Sequence, residues 1–144
     1  MTNEEIANIM RDFGRTMAKG DVEKTLSFFT EDAVWVEPNG TFKGKDELRS
    51  YLSAQAKSME DKTVTETGNG IIVGGNKAFF EHVLGATVQG RRAEFLAMCA
   101  YEFSNGKIKE VRSTYDRLLI AQQAVKGWLP KMLVNFIVKQ SEKM

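Results

Sequence analysis

The sequence predicts an α+β fold, with helices first, then a curved, mostly antiparallel sheet wrapped around them, and a helical tail. Three observations lead there. Ile6, Ile9, Met10, Phe13 and Met17 recur at helical spacing near the start. From Lys62 onward the apolar period changes to that of strands, punctuated by Gly74-Gly75-Asn76, Gln89-Gly90-Arg91 and Ser104-Asn105-Gly106-Lys107. Helices followed by an antiparallel meander place the helices on one face of the sheet.

Each element follows from local chemistry. Thr2 or Asn3 caps the first helix, and Glu4 and Glu5 occupy its first turn, where the helix dipole favours acids. Gly20 stops it. Asp21 caps a shorter helix carrying Val22, Leu26 and Phe29, after which Thr30-Glu31-Asp32 is expected to turn the chain. Ala33 to Glu37 alternates as a strand ended by Pro38-Asn39-Gly40, and Phe42 begins a short return strand before Gly44. A third helix is expected from about Asp46 to Met59, with Leu48, Tyr51, Leu52 and Ala56 on one face. Strands are expected over 63–73, broken by Gly68 and Gly70, and over 78–88, 93–103 and 108–115. The remainder reads as a helical tail interrupted by Gly127 and Pro130. Residues 1–117 are therefore expected to form one domain, with 118–144 an extension packed on it or on a dimer partner.

Composition narrows the functions available. The 144 residues hold 42% apolar and 27% charged side chains, an ordinary globular balance. Twenty Lys and Arg against 19 Asp and Glu give a net charge of +1, so no global field recruits nucleic acid. The single cysteine, Cys99, excludes an internal disulfide, and the single histidine, His82, excludes a site built on several imidazoles. No metal or cofactor is expected. No apolar run approaches the roughly 18 residues of a membrane span, and the acidic start MTNEEIANIMRD does not read as a signal peptide. The expected compartment is the cytoplasm.

The string from Gly20 through Phe28-Phe29-Thr30-Glu31-Asp32-Ala33-Val34-Trp35-Val36-Glu37-Pro38 resembles the opening of the NTF2-like superfamily, and Asn105-Gly106-Lys107-Ile108 through Ser113-Thr114-Tyr115-Asp116 resembles its last hairpin. Ketosteroid isomerases, SnoaL-type polyketide cyclases and limonene-epoxide hydrolases belong there. The resemblance implies a cone with a pocket at its wide end, and it frames most of residues 1–120. It also implies catalytic positions, which this chain fills differently. Glu37 stands where isomerases carry their aspartate base. Phe13 stands at their tyrosine donor and Cys99 near their protonated aspartic acid. Ser113 stands at the aspartate of hydrolases and cyclases, and His82 and Phe80 fall near the hydrolases' other carboxylate and arginine.

Strand alternation gathers these residues on one face. Trp35 and Glu37 share parity, as do Phe80, His82 and Leu84, and as do Cys99, Tyr101, Ser113 and Tyr115. Glu37, on the concave side of an apolar strand, would have its charged form disfavoured and so act as a general base; the alternative is a solvated or arginine-paired carboxylate at the mouth. His82 reads as a proton carrier or as a satisfied structural donor, and the two would titrate as a pair if they met. Tyr115 or Tyr101 could donate to an oxyanion. Cys99 reads as a buried, inert thiol. Phe13, Met17, Trp35, Phe80, Cys99, Tyr101 and Ser113 are expected to line the pocket, with Glu37, His82 and Tyr115 performing the chemistry.

Two functions follow. One is a cofactor-free acid–base enzyme of isomerase, cyclase or dehydratase type, acting on a small hydrophobic molecule. The other is a non-catalytic ligand-binding or assembly module. Leu96 and Met98, on the outer face between Glu94 and Glu102, suit a homodimer; cover by the tail is the alternative. The tail's Lys126, Lys131, Lys139 and Lys143 against Glu142 leave three readings for it, as lid, dimer arm or membrane-surface helix.

Overall fold

Thr2 caps α1 (Asn3–Ala18) with a reciprocal pair of bonds: its Oγ1 accepts from the Glu5 amide at 3.2 Å while Glu5 Oε2 accepts from the Thr2 amide at 2.6 Å. In this computed structural model, which describes residues 1–143, the helix buries Ile6, Met10 and Phe13. Asp21 caps α2 (Val22–Ser27), accepting from the Lys24 amide at 3.0 Å. Phe29, expected on that helix, instead opens β1 (Phe29–Glu37), fully buried with its ring 5.4 Å from that of Phe13. Core burial outweighs the helical spacing there. The expected turn at Thr30-Glu31-Asp32 is likewise part of β1, at a register shift against the last strand, where Glu31 and Asp32 face outward without ending the strand.

β2 (Gly40–Lys43) returns antiparallel to β1, and α3 (Gly44–Ser58) follows, burying Leu48, Tyr51 and Leu52. Four long strands complete the sheet: β3 (Glu60–Gly74), β4 (Lys77–Val88), β5 (Arg91–Ser104) and β6 (Lys107–Tyr115). The strand order is β2-β1-β6-β5-β4-β3, antiparallel throughout except for the parallel β1–β6 pair that joins the two halves. Two irregularities bend β3. Near Gly68 and Gly70, both at positive φ, the register against β4 shifts between Glu66 and Ile71. A Cβ on Gly68 would lie 2.2 Å from the Glu81 carboxylate, which binds the Asn69 amide at 3.0 Å. The second irregularity, at Asp61 and Lys62, lies beside the pocket.

Helices α1 and α3 pack into the curve of the sheet, where Phe13, Phe29, Trp35, Tyr101 and Phe103 form the aromatic floor of the core. Asp116 caps α4 (Arg117–Ala124), accepting from the Leu118 and Leu119 amides at 2.9 and 3.0 Å. β6 pairs with β5 only as far as Ala97, which leaves the β5 edge at Glu94 unpaired. Gln123 of α4 fills that gap, its side-chain amide bonding Glu94 N at 2.8 Å and Glu94 O at 2.9 Å.

Gly127, at φ 89, breaks the tail, but Pro130 does not. Pro130 is the third residue of α5 (Trp128–Ser141), where the amide it lacks would have no helical partner. α5 buries no residue; Trp128, Leu129, Met132, Leu133, Phe136 and Ile137 are all exposed. The last residue of the expected tail, Met144, lies outside the described residues. No described helix is long and apolar enough to cross a membrane.

Candidate functional site

At the open end of the curved sheet a cavity of ≈ 80 Å³ lies between the sheet and the C-terminal ends of α1 and α3. Its lower wall is aromatic, formed by Phe13, Trp35 and Tyr101, with Met17 beside them. Above that floor the strands bring together Glu37 from β1, Ser113 and Tyr115 from β6, Ala97 and Cys99 from β5, and His82 from β4. Leu84, Phe95, Met59, Lys62 and Ile120 complete the mouth. Nine of the ten residues expected at this site therefore line one cavity. The exception is Phe80, which is buried behind His82 with its ring stacked 4.2 Å from the imidazole. It borders a separate groove beside Met10 and Arg11. Parity placed it on the correct face, but the pocket does not extend that far along β4.

Glu37 is the buried acid of the site, 8% exposed. Tyr115 donates its hydroxyl to Glu37 Oε2 at 2.7 Å. Tyr51, whose hydroxyl accepts from Gln55 Nε2 at 2.5 Å, approaches the same carboxyl from α3. Trp35 donates Nε1–H to Ser113 Oγ at 2.9 Å, bracing the wall beneath it. Burial raises the Glu37 pKa above the ordinary carboxylate value, and the Tyr115 bond, with the nearby polar groups of Tyr51, Ser113 and Trp35, pulls it back only in part. The phenols respond in the opposite sense: burial and the neighbouring carboxylate push Tyr51 and Tyr115 well above the usual phenol range. Both hydroxyls therefore stay protonated and act as donors.

His82 is 3% exposed, and its Nδ1 lies 3.3 Å from the Phe80 carbonyl. A carbonyl only accepts, so this bond requires the proton on Nδ1 and leaves Nε2 as the lone-pair nitrogen. Burial lowers the His82 pKa, favouring that neutral form. His82 and Glu37 thus hold separate partners, and the direct pairing entertained from the sequence is not made: the carboxyl is taken by Tyr115 from the neighbouring strand. Cys99 donates to Ser113 Oγ at 3.3 Å, and burial pushes its thiol up to about 11. Tyr101 is buried, which holds its pKa well above the phenol range, and it forms part of the floor. Among the described residues no cluster of His, Cys, Asp and Glu could hold a metal ion.

Sequence reasoning missed Gln55, Met59, Lys62 and Ile120. Gln55 lies four residues after Tyr51 on α3, a helical spacing that could have revealed it. Lys62 could not be found by alternation, because it sits in a register shift.

A family model described as a SnoaL-like domain matches residues 10–111. No curated protein matches the chain significantly in sequence. Among solved structures, an NTF2-like protein of unknown function from Burkholderia pseudomallei K96243 superposes with a TM-score of 0.76 at 17% identity, covering 88% of this chain and 100% of that one. A hypothetical protein of ketosteroid isomerase-like fold from Catenulispora acidiphila DSM 44928, in complex with trimethylamine, gives 0.74 at 16% identity over 81% and 91% of the two chains. An LEH-like epoxide hydrolase from M. tuberculosis gives 0.72 at 16% identity over 94% and 97%. The architecture is the NTF2-like fold, which hosts isomerases and hydrolases as well as proteins without an assigned reaction.

Proposed function

The chain belongs to the SnoaL-like domain family, and from that premise we propose that it is a cofactor-free acid–base enzyme acting on a small hydrophobic molecule. The observation that carries this reading is the Glu37 carboxyl, buried in the wall of an apolar cavity with its pKa raised by desolvation. A base in that state is matched to removing a proton from carbon next to a carbonyl. The C–H electron pair passes to the carbonyl oxygen as an enolate, and return of the proton at another carbon completes an isomerisation. In a cyclisation the enolate carbon instead bonds to a second carbonyl carbon, whose oxygen takes the proton, and in a dehydration the enolate expels a β-hydroxyl, which takes the proton and leaves as water. Tyr115 holds the Glu37 carboxyl in place and shares its charge. His82 Nε2 supplies a second proton-accepting position on the cavity wall. The aromatic floor supplies affinity for an apolar body.

A specific observation favours the second reading, a non-catalytic ligand-binding module. Phe13, Cys99 and Ser113 stand where the resembled enzymes place strong donors or acids, and the Tyr115 hydroxyl is already engaged by Glu37. A panel of small hydrophobic compounds, scored by thermal shift and then by turnover across pH, separates the two. A stabilising compound that is also converted, with conversion lost in Glu37→Gln, supports the enzyme. Stabilisation without conversion of any compound supports the module.

The reading extends to assembly and place. The protein acts as a homodimer in the cytoplasm, joined through the outer face that bears Leu96 and Met98. Residues 118–144 form an extension of the domain, and Ile120, on α4 (Arg117–Ala124), lines the pocket.

A further inference from the structure

The strand that forms one side of the pocket mouth contains an irregularity with a defined consequence. Glu60 faces Thr87 and Thr63 faces Gly85, so β3 fits Asp61 and Lys62 where β4 has only Ala86. This is a β-bulge, with Asp61 in the left-handed region at φ 48. Arg92 clamps it from the outer face. One guanidinium nitrogen donates to the Asp61 carbonyl at 2.6 Å and another to Thr63 Oγ1 at 2.7 Å. The clamp passes directly over Gly85, where a Cβ would meet Arg92 Nη2 at 2.3 Å. Both neighbours of Lys62 are thus held by one guanidinium, and Lys62 lies against the cavity.

The Lys62 ammonium is half-buried without a counter-charge. Burial alone lowers its pKa, and no carboxylate among the described residues opposes that. Across the sheet at this level, Glu94, which faces Gly85, is paired with Arg92 at 3.4 Å. Glu37 is no partner either. It follows Val36, which faces Arg112, and so lies beside Ser113 and Cys99. The Lys62 level, marked by Gly85 and Glu94, is five residues further along β5, about 17 Å of strand. The pocket therefore has an acid–base end above an aromatic floor and a cationic end at the mouth.

We propose that Lys62 anchors the anionic head of an amphipathic ligand, a carboxylate whose apolar body occupies the cavity. A carboxylate bound there gains a charge-assisted hydrogen bond from a lysine already partly desolvated, and it stays clear of the Glu37 carboxyl. The inference rests on the cavity being a hydrophobic-ligand site, whether or not the ligand is converted.

The test compares 4-phenylbutyrate with 4-phenylbutan-1-ol, matched in body and differing in head, by isothermal titration at pH 7 on the full chain. The wild-type protein prefers the acid by about tenfold or more. Lys62→Met binds both compounds alike while keeping the wild-type affinity for the alcohol, which shows that the pocket is intact. Lys62→Arg retains a preference for the acid. Equal binding of the two compounds to the wild type overturns the anchor while leaving the hydrophobic pocket standing. A preference for the acid that survives in Lys62→Met overturns it too, and assigns the cation elsewhere. Binding of neither compound overturns both the anchor and the hydrophobic-ligand reading.

Discussion

The Tyr115 hydroxyl donates to Glu37 Oε2 at 2.7 Å, joining the C-terminal ends of β6 and β1 across their parallel pair. A donor of this kind stabilises the charged carboxylate. Removing it in Tyr115→Phe should raise the Glu37 pKa further, and the acidic limb of a pH–rate profile should move to higher pH. Glu37→Gln keeps the volume and removes the base. Turnover of any substrate found should fall by about 10²–10⁴-fold, with affinity for an apolar inhibitor little changed. Full activity in Glu37→Gln would end the acid–base assignment.

Glu37 and His82 also set opposite trends of stability with pH. Glu37 has its folded pKa raised above 4.5, so its contribution is most favourable at low pH and is lost as pH rises through the folded value. Glu37→Gln should therefore gain stability relative to the wild type on going from pH 4 to pH 8. The sign for His82 is reversed. Its folded pKa lies below 6.5, so its contribution is fully present above 6.5 and is lost as pH falls through the folded value. His82→Gln should flatten the wild-type decline below 6.5. Urea melts at several pH values measure both slopes, and parallel curves for wild type and variants would contradict the assignments.

Cys99 should be silent in the folded protein. It is 6% exposed, and its thiol is pushed up to about 11, so little thiolate exists near neutrality. A disulfide-exchange reagent at pH 7.5 should modify it only at the rate of global unfolding, and at full speed in denaturant. Rapid labelling of the native protein would place Cys99 in an open cavity rather than a closed wall.

Leu96 is 45% exposed and Met98 36% exposed, and the described residues of the tail do not cover them. A second chain pairing across the sheet's outer face would bury both. Sedimentation at micromolar concentration should show a dimer, and Leu96→Asp with Met98→Asp should yield a folded monomer. A wild-type monomer at that concentration would refute the pairing.

The elements were legible wherever one force dominated. Ile6, Met10 and Phe13 mark the buried stripe of α1 by spacing alone, and the glycine-rich turns divide the meander at Gly75, Gly90 and Gly106, all at positive φ. Alternation likewise carried Trp35, Glu37, His82, Cys99 and Tyr115 to one cavity, because a strand's side chains have only two faces to choose between. The same rule put Phe80 on the right face but not in the cavity, since parity chooses a face and says nothing of how far along that face a cavity runs. Phe29 and Thr30 changed element because burial against Phe13 competes with local spacing, and only the packed core weighs the two.

Sequence by itself determined the α+β order of elements, the cap at Asp21 and the choice of Thr2 or Asn3 for the first helix, and which strand residues face inward, because capping and alternation act over a few residues. Tertiary structure alone decided that Glu37 answers to Tyr115 and not to His82, that Arg92 clamps the bulge presenting Lys62, and that Gln123 closes the β5 edge at Glu94. Each of those contacts joins residues at least 29 positions apart. No local pattern encodes their meeting: register across the sheet and the curvature imposed by its bulges bring them within bonding distance.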